Sequence, residues 1–300
     1  MQRAVTIAIA VLLIGLVHRI EAKPVRAQMI LKNKGAEPIY AIEVEGRSLV
    51  AATNPSGTGK RKYPLTLIES IKFDTKPDDW KRADTAWFEG KYGVAAGAYE
   101  KLATEYRGLL PLKDKFPAIS LYRYLECLRK QGDYDTLRKK WTLLKKSFLS
   151  EQYHGQIDLY PAWAAVDKVL KNTEKPKRLG LLLDELKGKK LGPAYQAQAG
   201  FLAGVYAEKS GDPQTALSEY HKAFTLNFGT DESLARTAMA AALKLYAEDE
   251  DLEKDRIKAR EAYGVGRVYK KNFGTTGLGK GVAFTKPMPK ELGAEFDDVE

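Results

Sequence analysis

Four features of the sequence carry residue types that could do chemistry. Gly57-Thr58-Gly59-Lys60 has the composition of a phosphate-cradling loop. Such a loop needs a glycine at 54, a Ser or Thr at 61, and a helix whose N-terminus faces the phosphate. Asn54 and Arg61 stand at those positions and a strand pattern follows, so a hairpin loop is expected instead. Gly264-Val265-Gly266-Arg267 lacks the third glycine of a dinucleotide fingerprint and lies in a helical pattern. His154 and His221 are far apart, with no HExxH spacing and no serine elbow. His221 is expected on a helix surface and Cys127 as a small buried hydrophobe. One cysteine excludes an internal disulfide and a cysteine-rich zinc site. No catalytic, cofactor-binding or metal-binding residue is assigned, no cofactor is expected, and the chain is expected not to be an enzyme.

Charge gives the next signal. The 300 residues hold 49 Lys and Arg against 39 Asp and Glu, a net of +10. The excess concentrates between Lys113 and Lys190, where 18 basic residues face 10 acidic ones, a net of +8. Arg138, Lys139, Lys145, Lys177 and Arg178 are the candidate partner-binding residues in that stretch. An anionic partner suits them: an acidic protein or peptide, an anionic lipid or an acidic glycan. The bland reading of the same residues is a solvated helix face.

What positions such residues begins with an export leader. Met1-Gln2-Arg3 is basic, Ala4–Val17 is uncharged, and Ala22 precedes Lys23-Pro24. Residues 1–22 therefore read as a signal peptide cleaved after Ala22, with Ala27 as the second choice. The apolar run of 14 residues is short for a span, which needs about 20. A periplasmic or secreted protein is expected, and nucleic acid is not an expected partner. The alternative is a membrane-surface protein held by an uncleaved N-terminal segment and the basic face. Oligomeric state is not legible.

Residues 26–74 have a period of two. Gln28–Leu31, Ile39–Val44, Ser48–Thr53, Tyr63–Leu67 and Ile68–Phe73 are short apolar or β-branched runs separated by turn residues. So few strands bury a face only by closing, which predicts a small barrel. With Met29-Ile30-Leu31-Lys32-Asn33 near the start and Ile68-Glu69-Ser70-Ile71-Lys72-Phe73 at the close, the segment resembles the small Sm-like or SH3-like β-barrels found at the front of exported bacterial repeat proteins. The glycine expected right after Asn33 is delayed to Gly35, and Ala36-Glu37-Pro38 reads as an insertion.

From Asp78 the period lengthens to that of helices. Ala83, Gly90, Tyr92, Ala95 and Tyr99 in one stretch, and Gly204, Ala216, Tyr220 and Ala223 in another, combine small residues with an aromatic. Small residues let two helices approach closely, and the ring fills the hole beside them. A third copy runs from Leu121 to Leu149 with Trp141 in the aromatic slot; further copies turn near Asn172 and Asp249. These residues resemble the tetratricopeptide repeat. Turns at Gly90, Gly132, Asn172, Gly211 and Asp249 are 42, 40, 39 and 38 residues apart, longer than the 34 of that family. The expected architecture is α+β: a barrel over 26–74, a tetratricopeptide-like solenoid over 78–273, and a flexible, acidic-ended tail over 274–300. The resemblance implies a scaffold or adaptor in cell-envelope assembly that binds a protein or peptide on the concave face of the array.

Overall fold

A computed structural model describes residues 23–293, apart from 33, 75, 76, 228 and 230. The expected leader and the acidic residues 295–300 lie outside the described residues. The fold is α+β: a five-stranded antiparallel sheet followed by helices. The described residues divide into two compact units, one ending at Tyr124 and the other beginning at Leu125.

In the first unit the strands are β1 Val25–Leu31, β2 Gly35–Glu45, β3 Ser48–Ala52, β4 Arg61–Pro64 and β5 Ile68–Phe73, in the order β4-β3-β2-β1-β5. Val25, Ala27 and Met29 alternate inward along β1, as a strand with one buried face requires. Between Ala41 and Glu43 the β2–β3 register slips by one residue, so Ala41 and Ile42 are both buried. Gly46, at the first position of the two-residue β2–β3 loop, has φ +58°, a conformation glycine takes without strain. The 3-10 turn Leu65–Leu67 joins β4 to β5 and is tied to the sheet at both ends. Leu65 N–H donates to the Arg47 carbonyl (2.8 Å), and Lys32 N–H donates to the Leu67 carbonyl (2.9 Å). Among the described residues no ladder joins β4 to β5, so the sheet is open.

Helices α1 Asp78–Phe88 and α2 Tyr92–Glu105 form a pair around buried Trp80, Ala83, Ala95, Tyr99 and Leu102. Gly90 turns between them with φ +70°. The Tyr99 hydroxyl donates to Asp84 (2.6 Å), and Arg123 Nη1 bonds both Asp84 and the Tyr99 oxygen. Helix α3 Phe116–Gln131 begins in this unit, its Phe116 ring edge-on to Phe73, Trp80 and Tyr106.

The second unit holds the end of α3, then α4 Tyr134–Lys140, α5 His154–Leu170, α6 Lys177–Lys187, α7 Pro193–Lys209, α8 Pro213–Asn227, α9 Glu232–Glu248 and α10 Arg256–Phe273. From α4 to α10 each helix packs on the next, and α5 also packs on α7. The turns at Gly132, Asn172 and Gly211 have φ +77°, +53° and +81°. At two of them the following residue caps the next helix. Asp133 accepts from Thr136 N–H (3.1 Å) and Asp212 from Thr215 N–H (3.0 Å).

Ala216, Tyr220, Ala223 and Gly204 are buried together on α7 and α8. A Cβ on Gly204 would lie 2.5 Å from the Tyr220 ring, so the glycine makes room for the aromatic. Trp141 departs from the expected pattern. Helix α4 stops at Lys140, and Trp141 stands half-buried in a 3-10 turn past its end.

Part of the segment after Phe273, expected as a tail, packs on the helices. Gly279–Thr285 forms a 3-10 stretch against α9 and α10, with Leu278, Gly281 and Phe284 buried. A Cβ on Gly266 would collide with the Phe284 backbone, so the glycine of the failed dinucleotide pattern serves this close approach.

Candidate functional site

The second unit contains a groove of about 500 Å³ lined by α3, α4, α5, α7, α8 and α9. Its aromatic side is a succession of rings. Tyr134 stacks on Trp163 (5.3 Å, 22°), Trp163 on Phe201 (5.6 Å, 19°), and Phe201 meets Tyr220 tilted (5.8 Å, 41°). Offset aromatic contacts of this kind add about 0.5–1.5 kcal/mol each beyond the area they bury. Exposed Leu170 and Thr237 and half-buried Ala241 also line it.

A buried polar network holds the rings. Arg129 lies 5.5 Å over the Trp163 ring and donates to Glu126 (2.9 Å) and Asp231 (2.5 Å). Lys130 reaches the other Asp231 oxygen at 2.8 Å, and the Tyr160 hydroxyl donates to Glu126 at 3.1 Å. Gln156 and Gln198 exchange amide hydrogen bonds of 3.0 and 2.7 Å, and Trp163 Nε1 donates to Gln198 at 2.8 Å. Burial alone would raise the Asp231 carboxyl, but the Arg129 and Lys130 charges outweigh it and hold the group well below the ordinary carboxylate range. Burial also pushes the Tyr134 phenol up to about 12 and raises that of Tyr220, which donates to Glu208 at 2.7 Å. These phenols keep their protons.

Lys209, Lys244 and Glu208 also line the groove, as does Lys130, whose side chain is largely buried against Asp231. Lys244 pairs with Glu208 (2.9 Å) and Lys209 bonds the Asn172 amide oxygen (3.0 Å). Trp163, Phe201 and Tyr220 are themselves buried beneath the groove, so its accessible lining is half-buried Tyr134 and Ala241 with exposed Leu170 and Thr237, beside Lys209, Lys244 and Glu208.

The sequence-proposed binding residues lie elsewhere: none of Arg138, Lys139, Lys145, Lys177 and Arg178 lines the groove. Arg138 and Lys139 both pair with Asp135, at 2.6 and 2.5 Å, and lower its carboxyl to about 2. Lys145 lies 6.0 Å over the Phe148 ring. Lys177 and Arg178 are exposed at the start of α6. His221 differs from its expected place on a helix surface. It is half-buried, with Nε2 2.9 Å from the Tyr246 hydroxyl and its ring 4.9 Å from Phe224, and burial lowers its pKa. Cys127 is buried.

Of these aromatics the sequence pattern singles out Tyr220, for repeat packing; Tyr134, Trp163 and Phe201 went unassigned because burial, not type, distinguishes them. A positional signal existed: Trp163 stands nine residues before Asn172 and Phe201 ten before Gly211, so the turn spacing aligns them. The Arg129–Asp231 contact joins residues 102 apart and has no local signal.

No protein-family model, curated protein or solved structure matches the chain. Among the described residues no group of His, Cys, Asp and Glu is placed to hold a metal ion, and no helix is long and apolar enough to cross a membrane.

Proposed function

We propose that this protein is a non-enzymatic scaffold or adaptor that seats a peptide segment of a protein partner in the groove of the second unit. The observation that carries the reading is the groove itself, where half-buried Tyr134 and Ala241 and exposed Leu170 and Thr237 lie beside Lys209 and Lys244, over a buried ring stack of Trp163, Phe201 and Tyr220 that keeps its shape. A groove whose walls are held by a packed core loses little entropy on binding, and the lysines beside it favour acidic flanks through encounter and register. Successive helix pairs turning about every 40 residues support a tetratricopeptide-like array as the frame. The strand order and the 3-10 link before β5 support a small SH3-like or Sm-like barrel at its front. The residue pattern of 1–22 supports export, with cell-envelope assembly as the setting. N-terminal sequencing of protein recovered from a secreting host should then begin at Lys23; a first residue of Met1 would contradict export by cleavage.

The groove is tested by selecting binders from a displayed library of random peptides and titrating the enriched peptide. Ala241→Trp places an indole into the groove from α9 and should weaken binding at least tenfold. Equal affinity for the wild type and this variant would refute the groove as the seat.

A further inference from the structure

A second cavity, of about 600 Å³, lies between α10 and the segment 285–288. Arg260, Arg267, Lys270 and Lys286 contribute four cations, Tyr263 and Met288 add apolar walls, and no carboxylate is among its described lining residues. Positions 260, 263, 264 and 267 follow the helical repeat, so they share one face of α10. Gly264 lies on that face with open space around the position a Cβ would take.

Several contacts hold the walls of this cavity. Gly274 turns it back with φ +72°, and Phe284 then packs edge-on to Tyr263 (5.4 Å) and Tyr246 (6.4 Å). Lys270 Nζ donates to the Thr285 carbonyl (3.2 Å). Further along, Arg256 donates to the Glu291 carbonyl (2.8 Å) and Arg260 Nε to the Leu292 carbonyl (2.5 Å). The backbone is thus tied beside the cations one residue before Gly293, and the next seven residues are Ala-Glu-Phe-Asp-Asp-Val-Glu. They carry four carboxylates and one aromatic ring, against four cations and apolar walls.

We propose that this cavity is a cationic site for a short acidic peptide segment carrying an aromatic residue, and that the chain's own Glu295–Glu300 is that segment. Seven extended residues span up to about 24 Å, ample for a site next to their anchor. Tethering gives the segment an effective concentration in the millimolar range, so each charge contact can be weak and salt-sensitive. The proposal is independent of the groove described above.

The test uses a chain lacking residues 294–300, the full chain, and a fluorescein-labelled peptide of sequence AEFDDVE, read by fluorescence anisotropy. The shortened chain should bind the peptide at least tenfold more tightly than the full chain, and added salt should weaken that binding. Gly264→Leu in the shortened chain should fill the floor and abolish binding without lowering the unfolding midpoint. Arg267→Glu should abolish it through charge. Absence of binding to the shortened chain, equal binding by both chains, or full binding by Gly264→Leu would overturn the proposal.

Discussion

Asp231 is held by two cations in a site where few solvent contacts remain. It also caps α9 by accepting from Leu234 N–H at 3.2 Å, and takes the Ser233 hydroxyl at 2.8 Å. Asp231→Ala leaves the Arg129 charge buried with only Glu126 beside it; loss of one partner from such a pair costs about 3–5 kcal/mol. The sign of the pH effect follows from the depressed folded-state pKa. The unfolded chain takes up the Asp231 proton near the usual pH 4, whereas the folded chain resists until far lower. The stabilisation is therefore complete above about pH 4 and is lost as pH falls below it. Urea titrations of the wild type and Asp231→Ala should show a difference that narrows from pH 6 toward pH 3; a constant difference would contradict this account. The sequence showed Asp231 only as one acid among 39, because its meaning depends on a residue a hundred positions away.

At the scale of elements, glycines separate two physical roles. Gly204 makes space: its missing Cβ is where the Tyr220 ring lies. Gly264 has no such neighbour. Gly204→Ala should destabilise by up to about 2 kcal/mol, since overpacking costs roughly 1–3 kcal/mol and removing a helical glycine returns up to about 1. Gly264→Ala should stabilise by about 0.5–1 kcal/mol. Denaturant midpoints read both; a shift of the two in the same direction would refute the assignment. The turn residues Gly90, Gly132, Asn172 and Gly211 were visible in the sequence because positive φ is a local steric demand that glycine and asparagine meet best. Trp141 was less visible, since nothing in Arg138-Lys139-Lys140 announces that α4 ends there. The stretch Gly279–Thr285 was hidden for the opposite reason. Its glycines and the prolines beyond suggest mobility, while its order comes from Phe284 packing against residues of α9 and α10.

Over the whole molecule, the change from strand to helix periodicity near residue 78 was legible, because it reflects which faces each segment buries. The proposed binding surface was not. Charge counting favoured Arg138, Lys139, Lys145, Lys177 and Arg178, but counting cannot see that Asp135 engages two of them. Nor can it see rings that meet only after folding. The groove and the basic cluster therefore make rival predictions about where a partner sits. The decisive measurement places a photo-crosslinking benzophenone residue at Thr237, on the groove, or at Lys139, in the cluster, and illuminates each with a peptide selected on the wild-type protein. The account predicts a strong adduct from position 237, lost when Ala241→Trp is added, and little from position 139. An adduct from position 139 alone would contradict it.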